Sequence, residues 1–130
     1  MRYNTPLTIY CRHYLMVTIY HNPRCSKSRD TLALIEARGI SPTVIHYLDT
    51  PPDAATLKSL LGALGLSARE LLRRNEADYQ TLGLERPECS EAELIAAMVA
   101  HPRLIERPIV VVGERAVIGR PPQNVLELLP

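Results

Sequence analysis

The chain has 130 residues, enough for one domain with its own hydrophobic core, so neither disulfides nor a structural metal is needed for stability. Its 15 Lys and Arg stand against 14 Asp and Glu, and a net charge of +1 gives no general attraction to nucleic acid or to an acidic membrane. Thirteen of the cations are Arg and two are Lys, and guanidinium is the better fork for carboxylates and tetrahedral oxyanions.

Three cysteines, Cys11, Cys25 and Cys89, make an odd count without metal-ligand spacing. That usage reads as reduced thiols of a soluble cytoplasmic protein, with no metal site and no bound cofactor. No apolar run approaches the length of about 20 residues that spans a bilayer. Residues 1–15 are broken by Pro6, Arg12 and His13 and lack the apolar stretch of a signal peptide. LTIY at 7–10 is echoed by VTIY at 17–20, directly after Met16. The domain is expected to begin at residue 16 and run to 130, with 1–15 an N-terminal appendage; an extra edge strand over 6–11 is the alternative.

VTIY is β-branched and aromatic and ends at the turn-prone HNP, which predicts a buried strand. SKSRDTLALIEARG then places Leu32 and Ile35 on one helical face and stops at Gly39. TVIHYL, 43–48, reads as a second strand, so the first 30 residues of the domain form a right-handed βαβ unit with parallel strands. Pro51, Pro52 and Asp53 open a helix with Leu57, Leu60, Leu61 and Leu64 at amphipathic spacing, closed by Gly65. Ser67 with Glu70 and Ser90 with Glu93 match capping boxes, predicting helices at 68–75 and 90–100, the second ended by His101-Pro102. PIVVV (108–112), a GE turn and RAVIG (115–119) form a hairpin, and Pro121 and Pro122 start a last helix carrying Val125, Leu126 and Leu129. The order β-α-β, helical insert, β-β-α is a thioredoxin-like α/β plan with a four-stranded mixed sheet.

In that plan the reactive position is where the first strand meets the first helix, and Cys25 occupies it. Free amides and the positive end of the helix dipole favour a thiolate over a thiol there, and Arg24, Lys27, Arg29 and His21 can add positive charge. A buried structural cysteine is the bland alternative, disfavoured by the polar neighbourhood HNPRCSKSR. Ser28 stands where a second redox cysteine would be, so an adduct on Cys25 needs an outside thiol. Cys89, just before a helix cap, reads as half-buried filler. His21 is either a partner that tunes the thiol or a turn residue that holds the loop. Arg73 and Arg74 close a helix and suit its dipole as solvated cations. Arg107 and Arg120 each precede a proline and flank the hairpin, and an Arg-Pro before the third strand would set a guanidinium, with a cis peptide bond, against the reactive cysteine.

At these residues the chain resembles the ArsC family of arsenate reductases, the glutathione- and glutaredoxin-dependent type, and in particular its YfgD-like branch. HNPRCSKSR matches the family's His-Asn-Pro-x-Cys-x-x-Ser-Arg motif, and LLRRN, HPRLIERPIVV and IGRPP match further blocks in order. The resemblance covers the domain from about residue 17 and leaves 1–15 outside. It implies Cys25 as nucleophile toward arsenate, His21 as the histidine that helps activate it, and Arg73, Arg107 and Arg120 as the arginines that bind the oxyanion. Ser28 and Arg29 are accessory members of the same motif. Glutathione would be the co-substrate and glutaredoxin the protein partner. Residues 24, 26 and 27 (Arg, Ser, Lys) make the mouth of the site more basic than the smaller residues usual in the family. Two other functions are compatible with the fold: a monothiol oxidoreductase for glutathione mixed disulfides, and a non-enzymatic Spx-like transcriptional regulator. Ser28 in place of a second motif cysteine, together with Arg73, Arg107 and Arg120, disfavours the regulator.

Overall fold

A computed structural model describes residues 16–130. The expected appendage, with Cys11 and the alternative edge strand, lies outside the described residues. Strand β1 (Val17–His21) buries Val17, Ile19 and His21 on one side and half-buries Thr18 and Tyr20 on the other, as the two-residue period of a strand requires. It pairs in parallel with β2 (Thr43–His46) and antiparallel with β3 (Ile109–Val112), which pairs antiparallel with β4 (Arg115–Ile118). The sheet order is β2-β1-β3-β4, the expected thioredoxin-like arrangement.

Helix α1 (Ser26–Ala37) is the crossover between the two parallel strands. Gly39, at φ 76°, ends it in a left-handed conformation that glycine takes without steric cost. On this face Ile35 meets Val17, Ile19, Val110 and Val112, together with Val125 and Leu129 from a C-terminal 3-10 segment, Pro122–Glu127. The opposite face is covered by the helical insert, comprising α2 (Ala54–Leu64), α3 (Ala68–Leu71), α4 (Ala77–Thr81) and α5 (Glu91–Ala100). Its Leu57, Leu61, Leu94 and Met98 bury against Ile109 and Tyr47. Asp53 caps α2 by accepting the Thr56 amide at 2.8 Å, and both predicted capping boxes are formed.

The structure departs from the sequence reading at four places. The helix expected over 68–75 stops at Leu71, because Leu72 turns extended and pairs with Ile105. The Arg73 amide donates to Leu104 O at 2.8 Å and the Glu106 amide to Leu71 O at 3.0 Å, and burial of Leu71, Leu72, Leu104 and Ile105 replaces the missing helical turn. Arg73 and Arg74 therefore do not cap a helix end. The second strand ends at His46, whose carbonyl accepts from the Asp49 and Thr50 amides, and the resulting turn sends Tyr47 into the core. The last helix is 3-10 in form, and α4 had no counterpart in the sequence reading. Among the described residues no helix is long and apolar enough to cross a membrane.

Candidate active site

Cys25 directly precedes the first turn of α1, with extended backbone at φ −97° and ψ 122°. Its amide donates to Asn22 O at 3.0 Å and its carbonyl accepts from the Arg29 amide at 3.0 Å, so the residue is fixed from both sides. The polar motif predicts an open setting for the thiol, yet Cys25 is only 7 % exposed. Arg24, Ser26, Lys27 and Arg29 are all exposed, so the basic character of the motif lies on its outer surface.

The remaining motif residues hold the loop. Ser28 is fully buried; its Oγ accepts the Asn22 amide at 3.0 Å and lies 2.7 Å from His21 Nδ1. Arg29 Nη1 donates to Pro23 O at 2.9 Å, and the Arg24 amide donates to Asn22 Oδ1 at 3.0 Å. His21, at the end of β1 on the side that α1 covers, has its Nδ1 on Ser28 and not on Cys25. Burial holds its pKa below the ordinary histidine value, and the charges of His46 and Arg29 push it the same way. Its imidazole is therefore neutral at neutral pH and supplies no positive charge to the thiol, contrary to the charge expected of it.

The arginines come from three separate segments. Arg120 Nη2 lies 3.7 Å from Cys25 Sγ, and its Nε donates to Arg107 O at 2.8 Å. Arg73 pairs with Glu76 at 2.9 Å and with Glu106 at 3.7 Å, while Glu106 also reaches Arg120 Nε at 3.2 Å. Arg107 differs from both. Its Nε and Nη1 are shut off from solvent and have no hydrogen-bond partner among the described residues. Arg107 and Arg73 line a cavity of about 350 Å³ together with Asn22, Arg24 and Tyr47. The Arg107–Pro108 and Arg120–Pro121 peptide bonds are both cis. Arg74 is exposed and lines a neighbouring polar cavity with Arg73, Glu106 and Arg120.

Sequence reasoning passed over two participants. Glu106, the residue before Arg107, ties Arg73 to Arg120; an acid next to an Arg-Pro pair is the signal that could have drawn notice. In the sequence, Tyr47 reads only as part of a strand. It is 2 % exposed, and burial pushes its phenol up to about 12, against the opposing pull of Arg73 and of the Asn22 side chain. Cys89, half-buried with Sγ 3.7 Å from Gly83 O, is distant from this machinery in the sequence and takes no part in the contacts described.

A thioredoxin-like sheet with one cysteine, not a pair, at the start of its first helix, and with arginine set against that thiol, defines a single-thiol class of protein. The ArsC family model matches residues 20–128, and the chain belongs to the ArsC family. It is 57 % identical over 114 residues to the Escherichia coli (strain K12) protein YfgD, across 87 % of this chain and 96 % of that one. It is 47 % identical over 114 residues to a Neisseria meningitidis serogroup B protein named arsenate reductase, covering 87 % and 97 % of the two chains. The solved structure of arsenate reductase from Vibrio cholerae superposes with a TM-score of 0.87 at 52 % identity, covering 88 % of this chain and 98 % of that one.

Proposed function

We propose that this chain is an oxidoreductase that reduces arsenate to arsenite through an adduct on Cys25, resolved by glutathione and glutaredoxin. The observation that carries this reading is Arg107, whose Nε and Nη1 are buried without partners at the cavity it lines. Leaving a buried donor unmade costs about 1–3 kcal/mol, and more for a charged group. An oxyanion in the cavity removes that cost, and Arg120 beside Cys25 Sγ extends the cationic surface to the nucleophile. Relatives named arsenate reductase, at 47 % identity over nearly their whole length, supply the substrate.

The chemistry follows from the charges. Cys25 thiolate attacks arsenic, a sulfur–arsenic bond forms, an arsenic–oxygen bond breaks, and the departing hydroxide leaves as water after taking a proton. Charge concentrates on the arsenate oxygens as sulfur approaches, and fixed guanidinium groups in a partly buried site stabilise it without reorganising. Glutathione then attacks the adduct, and glutaredoxin completes the transfer, releasing arsenite and the free Cys25 thiol. In sum, arsenate and two thiols become arsenite, one disulfide and one water, so the two electrons gained by arsenic come from sulfur.

The test is a coupled assay of NADPH consumption with arsenate, glutathione and glutaredoxin. Cys25→Ser is expected to lose all turnover above background. Wild-type turnover no greater than that of Cys25→Ser would sink the proposal.

A further inference from the structure

The cavity that Arg107 lines has a second buried polar wall. Tyr47 is 2 % exposed and lines this cavity with Arg107, Arg73 and Asn22. A phenol buried only for its ring would be better replaced by Phe, because an unmatched hydroxyl is costly in a core. Asn22 Oδ1 accepts the Arg24 amide at 3.0 Å, and the Asn22 side chain pulls the Tyr47 pKa down against its burial, as a donor to the phenol oxygen does. The O–H remains free to donate, beside a guanidinium with two donors of its own unspent.

We infer that the Tyr47 hydroxyl is a hydrogen-bond donor to an oxygen of the anion bound beside Cys25, acting together with Arg107 as the recognition wall of the site. The inference rests on the oxyanion reading of the cavity and adds to it a neutral donor that no charge-based argument identifies. Burial keeps the phenol protonated throughout the neutral range, so the donor is present whenever the anion is. Placement follows from the chain: the turn after β2, the parallel neighbour of β1, carries Tyr47 toward the end of the sheet where β1 leads into Cys25.

The test is protection of Cys25 from iodoacetamide by inorganic sulfate, an anion the thiol does not reduce, on the full chain and relative to the rate without sulfate at each pH. Wild type should be protected, and Tyr47→Phe should need at least about tenfold more sulfate for the same protection. Equal sulfate requirement in the two proteins, or no protection of wild type, overturns the inference. Should Tyr47→Phe fail to fold, 3,5-difluorotyrosine at position 47 keeps the ring shape and ionises at lower pH. The charged and titratable groups around it, Arg24, Arg73, Arg103, Arg107, Cys25, Glu76 and Glu106, are unchanged. Sulfate protection should then fall away at lower pH than in wild type, and superimposable pH curves overturn the inference. Sulfate-protected protein that turns over no arsenate would count against the reductase reading alone. Undiminished sulfate protection in a Tyr47→Phe protein that still reduces arsenate would count against Tyr47 alone.

Discussion

Ser28 occupies the place of a second redox cysteine and uses its hydroxyl for a different task. Its Oγ takes the Asn22 amide and meets His21 Nδ1, so one buried oxygen joins the end of β1 to the first turns of α1 across the loop that carries Cys25. Ser28→Ala leaves the Asn22 amide and the imidazole short of a partner, and is expected to cost about 1–3 kcal/mol in chemical denaturation. The neutral His21 adds a pH dependence whose sign is fixed. Its folded pKa lies below the unfolded value of about 6.5, so the unfolded chain takes up the proton first. Stability from this group is full above about pH 6.5 and declines as pH falls below it, until the lowered folded value is reached. The thermal midpoint of wild type should drop between about pH 7.5 and pH 5.5, and His21→Gln should flatten that drop. An equal drop in both proteins would assign the effect to other groups. The carboxylates of Asp53, Glu70 and Glu93, each lowered by the backbone amide it accepts, act in a more acidic window and leave this one clear.

At the scale of elements, what was legible in the sequence is what a dozen residues decide among themselves. β1, α1, α2 and the hairpin were readable because alternation, amphipathic spacing, Asp53, Gly39 and Gly65 are local signals. The early stop of α3 was not, since LLRRN continues a helical pattern and only the pairing of Leu72 with Ile105, far along the chain, breaks it. For the same reason the arginine motifs were visible while the carboxylate of Glu106 that ties Arg73 to Arg120 was not. Burial of Cys25 was also hidden, because a polar motif says nothing of which way its side chains turn. One glycine shows how tightly such long-range joins are made. Gly119 packs against α1 just ahead of Arg120, and a Cβ there would come within 2.9 Å of Pro108 Cγ and closer still to Thr31 Oγ1. Thr31 is fully buried and bonded to Lys27 O at 2.8 Å, so it has little room to yield. Gly119→Ala should therefore cost about 1–3 kcal/mol and weaken sulfate protection of Cys25 by lifting Arg120. Gly62→Ala, inside α2 with nothing within 4 Å, should instead stabilise by about 0.5–1 kcal/mol through helix propensity. Denaturant midpoints that move the same way for both glycines would contradict this account.

The whole molecule assembles its site from segments that are far apart in the chain, with residues 22–25, Arg73, Arg107 and Arg120 joined only when the sheet and the helical insert are both in place. The site therefore exists in the folded state alone, and an anion that binds it must raise the stability of the entire domain by mass action. At one hundred times its dissociation constant the gain is about 2.7 kcal/mol. A domain of this size converts each kcal/mol into about 3–5 °C, so the thermal midpoint should climb by about 10 °C. Sulfate also stabilises proteins without binding, by exclusion from their surfaces, so the specific part must be isolated with a variant. Arg107→Met serves, since it keeps an aliphatic stem of similar length and removes the two donors that have no partner. Without ligand those donors are a burden on the fold, and their removal should leave the midpoint unchanged or raise it. With sulfate, the variant should show only the small general increase, its specific shift gone. A variant whose midpoint falls without ligand and rises with sulfate as much as wild type would place Arg107 in the structural framework and out of the anion site. The opposite pair of changes, stability kept and ligand response lost, is the thermodynamic mark of a guanidinium held buried for an anion that the folded chain itself does not supply.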